Sequence, residues 1–160
     1  MRILFLIFIL SFLLCIPVFS QEAVKIDEFT NTTCDDYWSR TSFLYTDLNR
    51  NLEAKAYIFV YQGKLTKLVY DKKGNLKRTD YVSPPKNEAN ELIGYFERDA
   101  AFKDIPTDKV TFVEGGFREK FTVEFWIVPV GANPPKPTPT LEKVKQRKPV
   151  RHPFGYCGEL

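Results

Sequence analysis

The side chains able to do chemistry in this sequence are few, and their spacing limits what they can do. His152 is the sole histidine and sits in a basic stretch beside Pro153, with no neighbour suited to orient it as a general base. No serine occupies a Gly-x-Ser-x-Gly turn, and Gly115-Gly116 lacks the Lys-Ser/Thr pair of a phosphate loop. Carboxylates are the better candidates, because two held at a fixed separation can hydrolyse a glycosidic bond. Glu114, Glu119 and Glu124 fall within one short stretch and define one reading, a small secreted carboxylate-dependent hydrolase. Arg118 and Lys120 interleave with them and would neutralise such a pair. The expectation is a chain without catalytic residues, in which Arg118 and Glu119, displayed on a tight glycine turn, form the leading binding pair.

Cysteine points to structure. Arg2 precedes a nearly unbroken apolar run over residues 3–14, and Pro17 breaks it ahead of Val18-Phe19-Ser20. That layout reads as a secretory signal peptide over residues 1–20, with an uncleaved anchor as the rival. Cleavage removes Cys15 and leaves Cys34 and Cys157. Two cysteines in an exported chain most often pair, the alternative being free or intermolecular thiols. With one histidine and no paired-cysteine spacing, neither a metal nor a cofactor is expected. The expected location is the periplasm or the extracellular space, with membrane contact only through the leader before cleavage.

Composition suits one ordinary domain. The chain has 160 residues, 44% apolar and 27% charged, with aromatics at 15% to fill a core. Residues 21–128 carry 16 Lys/Arg against 18 Asp/Glu, whereas residues 129–160 carry 6 against 2. Only the tail is basic, which argues against a nucleic-acid surface.

The elements that must position these residues follow from periodicity. Residues 23–29 alternate as a half-buried strand, and Asn31-Thr32-Thr33 offers side-chain oxygens to cap a helix. Tyr37, Thr41, Leu44, Tyr45, Leu48 and Leu52 share one face of a helix over residues 35–51. Residues 56–61 form an aromatic and β-branched central strand, with Tyr57, Phe59 and Tyr61 on one face and Ile58 and Val60 on the other. That aromatic stripe reads as core, a ligand platform being the alternative. Residues 64–82 read as a hairpin around Asp71-Lys-Lys-Gly-Asn75, residues 87–101 as a second striped helix, and residues 109–114 and 121–128 as strands about a Gly115-Gly116 turn. Residues 133–140 should run as polyproline, and residues 153–157 return to bulky side chains, as if docking on the body. The domains expected are a leader at 1–20, an α+β body at 21–129 with an inserted hairpin at 64–82, and a Pro-rich basic tail at 130–160.

The βαβαββ order resembles the OmpA-like domain, a peptidoglycan-associated module of Gram-negative envelopes. The resemblance lies in the second helix, the passage Ile105-Pro106-Thr107-Asp108-Lys109-Val110, and the closing Phe121-Thr-Val-Glu-Phe-Trp-Ile. It implies two helices packed on a small mixed sheet. In that family an Asp after the second strand and an Arg in the second helix clamp the diaminopimelate group. Here Tyr61-Gln62-Gly63-Lys64 follows the second strand, and Leu92, Ile93 and Gly94 stand where the Arg is due. Thr79-Asp80 and Arg98 are the residual matches, so Asp80 joins Arg118 and Glu119 as a candidate binding residue. The function expected is a non-catalytic exported envelope module meeting an envelope protein or cell-wall polymer, with a degenerate peptidoglycan binder as the alternative.

Overall fold

The computed structural model describes residues 21–150 and Cys157. The leader at residues 1–20 and His152 lie outside the described residues. The fold is α+β, with elements β1 (Val24–Phe29), α1 (Cys34–Arg50), β2 (Lys55–Tyr70), β3 (Leu76–Val82), α2 (Glu88–Phe102), β4 (Val110–Lys120) and β5 (Thr122–Val128).

Each helix starts and faces inward for readable reasons. The Thr33 side chain accepts from the Asp36 N–H, and Asp35 and Asp36 favour the positive end of α1. Tyr37, Thr41, Leu44, Tyr45 and Leu48 bury the inner face, whereas Leu52 falls beyond the helix and is exposed. Ala89, Leu92, Phe96 and Ala100 do the same for α2. Both helices cover one face of the sheet, meeting Ala56, Ile58, Val60, Val123 and Phe125. Phe29, Tyr37, Phe96 and Phe125 form a chain of rings at the centre, with centroids 5.2 Å apart for Phe29–Phe125 and 5.8 Å for Phe96–Phe125.

β2 is the axis of the sheet. Its first half pairs antiparallel with β5, which in turn pairs antiparallel with β1. The same residues pair on their other edge with β4, in parallel. Beyond Lys64 the strand continues and pairs with β3. The sheet is thus mixed, and the hairpin expected over residues 64–82 is present, its first strand being a continuation of the central strand.

Gly115-Gly116 is not the expected turn between two neighbouring strands. It lies inside β4 as an irregularity opposite Tyr61, with Gly116 at φ +89°. β4 and β5 flank β2 on opposite edges, so the chain must pass over β2 between Lys120 and Thr122. It does so at Gly63, where an added Cβ would lie 2.2 Å from the Lys120 carbonyl carbon. The Phe121 N–H donates to the Lys64 carbonyl at 3.0 Å and pins the crossing.

The tail wraps the body as a strap. The Thr140 and Leu141 N–H groups donate to the Phe117 carbonyl, and Arg147 pairs with Pro84 and Lys86 through backbone bonds. Asn87 holds Val150 through both ends of its side-chain amide. A disulfide then joins Cys157 to Cys34 across 123 positions of sequence, with Cα atoms 5.5 Å apart.

Candidate functional site

The sheet face turned away from the helices carries Tyr57, Phe59 and Tyr61 from β2, because alternate residues of a strand point to opposite sides. Register sets Glu124 of β5 beside Phe59, on that same face. Arg118 of β4 reaches it too, since the irregularity at Gly115-Gly116 puts Gly116 opposite Tyr61 and Arg118 two residues further on. Both glycines serve this approach. A Cβ on Gly115 would meet the Tyr61 ring at 2.4 Å, and one on Gly116 would press on Pro139 of the strap at 3.1 Å.

Glu124 is 2% exposed and the centre of a charge cluster. Its Oε1 accepts from Arg118 Nη2 at 2.9 Å and Lys25 Nζ at 3.3 Å. Its Oε2 accepts from the Tyr61 hydroxyl and from Trp126 Nε1, each at 3.1 Å. The Arg118 guanidinium lies 3.6 Å from the centre of the Tyr61 ring. The strap closes over it: Thr138 Oγ1 accepts from Arg118 Nη2 at 2.7 Å, and the Thr138 N–H donates to the Tyr61 hydroxyl at 3.1 Å. Burial alone would raise the Glu124 pKa. The hydrogen bonds from Trp126, Arg118 and Lys25, with the charge of Arg118, outweigh it and hold the carboxyl below its ordinary value.

This arrangement binds a strap; it offers no base. A carboxylate has about four lone-pair positions, and Arg118, Lys25, Tyr61 and Trp126 fill them. Glu114 pairs in register with Val60, which faces the helices, so it points away from Glu124. Glu119 adjoins Arg118 on β4 and therefore points to the opposite side, exposed. The three glutamates that are close in sequence do not form a pair in space.

The candidate binding residues are likewise dispersed. Arg118, expected on an accessible turn, is drawn under Thr138 with a side chain 14% exposed. Asp80 lies on β3 and accepts from Arg78 Nε at 3.0 and 3.2 Å. No hydrogen bond or ion pair joins Asp80, Arg118 and Glu119 to one another among the described residues. No family model, curated protein or solved structure matches this chain. Among the described residues no group of His, Cys, Asp and Glu is placed to hold a metal.

A second buried ion pair was missed by the sequence reading. Asp99 of α2 is fully buried, accepts from Thr41 Oγ1 at 2.5 Å, and lies 3.0 Å from Lys103 Nζ. Lys103 in turn sits over the Trp38 and Tyr45 rings. The signal was available: Asp99 falls inside the apolar stripe of α2, with Lys103 one turn later. Burial, then the Asp99 charge, raise the Tyr95 phenol to about 12, so it stays protonated. The pair ties α1 to α2. A shallow apolar groove of about 310 Å³ opens beside the end of α2, between Ala100, Ile105 and Phe112.

Proposed function

We propose that this chain is a non-catalytic, exported module of the cell envelope that engages an envelope protein or wall polymer on a divergent OmpA-like scaffold. The disulfide between Cys34 and Cys157 carries this reading. Such bonds persist in oxidising compartments outside the cytosol, and this one fastens a tail that wraps the whole domain. The order of strands and helices on a mixed sheet is in keeping with the OmpA-like resemblance. The saturation of Glu124 supports a binding role over hydrolysis. Asp80, half-exposed beside Arg78, supplies a carboxylate and a guanidinium suited to a zwitterionic wall peptide.

The test is co-sedimentation of the disulfide-closed protein with purified cell-wall sacculi, in low and raised salt. The expected result is pelleting that Asp80→Ala abolishes while the thermal melt is unchanged. Pelleting that is absent for wall material, with no cross-link to any envelope protein in intact cells, would sink the reading. So would turnover of a glycoside substrate that disappears in Glu124→Gln.

A further inference from the structure

The distal half of β2 and all of β3 stand out from the body as a two-stranded arm, and residues 71–79 are exposed throughout. Its two faces differ. Leu65 and Val82 pair at the root and close the core from one side, with Lys67 opposite Asp80 and Val69 opposite Arg78 further out. The other face carries Leu68 from β2, Tyr81 opposite Thr66, and Tyr70 opposite Leu76. All four are about half exposed, from 49% for Leu68 to 56% for Leu76. Aliphatic and phenolic side chains thus line a face that none of the described residues covers.

Cations surround that face. Residues 64–82 carry six Lys/Arg against two Asp. Asp71 at the tip accepts from the Asn75 and Lys73 N–H groups, and Asp80 is taken by Arg78. Lys67, Lys72, Lys73 and Lys77 have no ion-pair partner among the described residues. Lys120 adds a further charge, its Nζ 5.4 Å from the centre of the Tyr81 ring. The root is rigid, because the Asn31 side chain accepts from the Thr66 N–H at 2.7 Å and donates to its carbonyl at 3.0 Å.

We propose that this arm docks on an anionic lipid bilayer, with Lys72, Lys73 and Lys77 at the headgroups and Leu68, Tyr70, Leu76 and Tyr81 in the interface. The inference goes beyond the envelope reading and does not depend on it. Basic residues beside an apolar face are what such a surface attracts, each lysine adding to headgroup attraction and each buried methylene to partition. Charge decides against a second copy of the arm, since two arms each bearing unpaired Lys72, Lys73 and Lys77 repel one another. The aliphatic pair decides against a hydrated acidic polymer, which offers Leu68 and Leu76 nowhere to leave water. No described helix is long and apolar enough to cross a membrane.

The experiment is flotation of the disulfide-closed protein with phosphatidylcholine vesicles, with and without phosphatidylglycerol, at low and physiological ionic strength. Binding is expected only to the anionic vesicles and weakens with salt. Lys72→Gln and Lys73→Gln each weaken it about five-fold, and Leu68→Ser with Leu76→Ser by at least a similar factor. An unchanged thermal melt and a retained disulfide show that the variants are folded. The proposal is overturned by no binding to anionic vesicles, equal binding to both vesicle types, binding that no arm variant alters, or a dimer dispersed by Leu68→Ser without lipid binding. Loss in the lysine variants but not the leucine variants, with polyglutamate competing equally, also overturns it.

Discussion

A carboxylate's surroundings decide what it does, and Glu124 shows this most clearly. Its neighbours stabilise the ionised form by more than burial penalises it, so its pKa in the folded chain lies below the ordinary value near 4.5. In the unfolded chain the carboxyl titrates at that ordinary value. As pH falls, the unfolded state therefore takes up the proton first, and acid favours unfolding. The stabilisation is present at neutral pH and is lost as pH drops through the ordinary value toward the folded one. Glu124→Gln removes the charge with little change of shape and leaves Arg118 and Lys25 with only the half-exposed Glu28 as an acidic partner. At neutral pH the variant should be less stable by about 2–3 kcal/mol, somewhat below a fully buried pair because Lys25 is partly exposed. The gap should narrow as pH falls from neutral through the ordinary value toward the lower folded one, where the native carboxyl becomes neutral as well. Urea unfolding of both proteins across that range measures it. A gap that stays constant with pH would show that Glu124 contributes packing alone.

At the scale of elements, the sheet depends on one crossing. β4 must reach β5 over the top of β2, and Gly63 is where the backbones come closest. Residues 56–61 were legible as a central strand because they are continuously apolar and β-branched, and both helices were legible from their stripes. The crossing was not. A Gly-Gly pair between two strand-like runs carries the same local signal whether it turns the chain or kinks a single strand. Only the pairing of Tyr61 with both Gly116 and Thr122 distinguishes the two. Gly63→Ala should cost about 3 kcal/mol or more, since its Cβ would meet backbone that cannot move aside. Gly94→Ala is the matched control. It sits in α2, its Cβ would meet only the flexible end of Arg98 at 3.4 Å, and helix propensity favours alanine. That variant should gain up to about 1 kcal/mol. Thermal melts of the two read the contrast directly, and equal effects would mean the chain does not pass over β2 at Gly63.

For the whole molecule, the disulfide and the strap form one device. The pairing of Cys34 with Cys157 was readable from the cysteine count and the leader-like start of the sequence, because few alternatives exist for two cysteines. What the tail rests on was not readable, since polyproline carries no periodicity that names its partner. Arg118 illustrates the consequence: its sequence position suggested an accessible turn, but Thr138, 20 residues later, covers it. The disulfide closes a loop spanning 123 positions. Chain entropy gives such a closure about 4–5 kcal/mol by restricting the unfolded ensemble. The strap also holds non-covalently at Phe117, Pro84, Lys86 and Asn87, so the reduced protein should stay folded and the bond should act on stability, not on shape. Cys34→Ala with Cys157→Ser is expected to lower the melting temperature by roughly 10–20 °C with an unchanged far-ultraviolet circular dichroism spectrum. In the same variant, proteolysis should cut first within residues 142–145, between the anchors at Leu141 and Arg147. Cleavage beginning instead in the β2–β3 arm would mean the tail is held by its own contacts and the disulfide adds nothing to its docking.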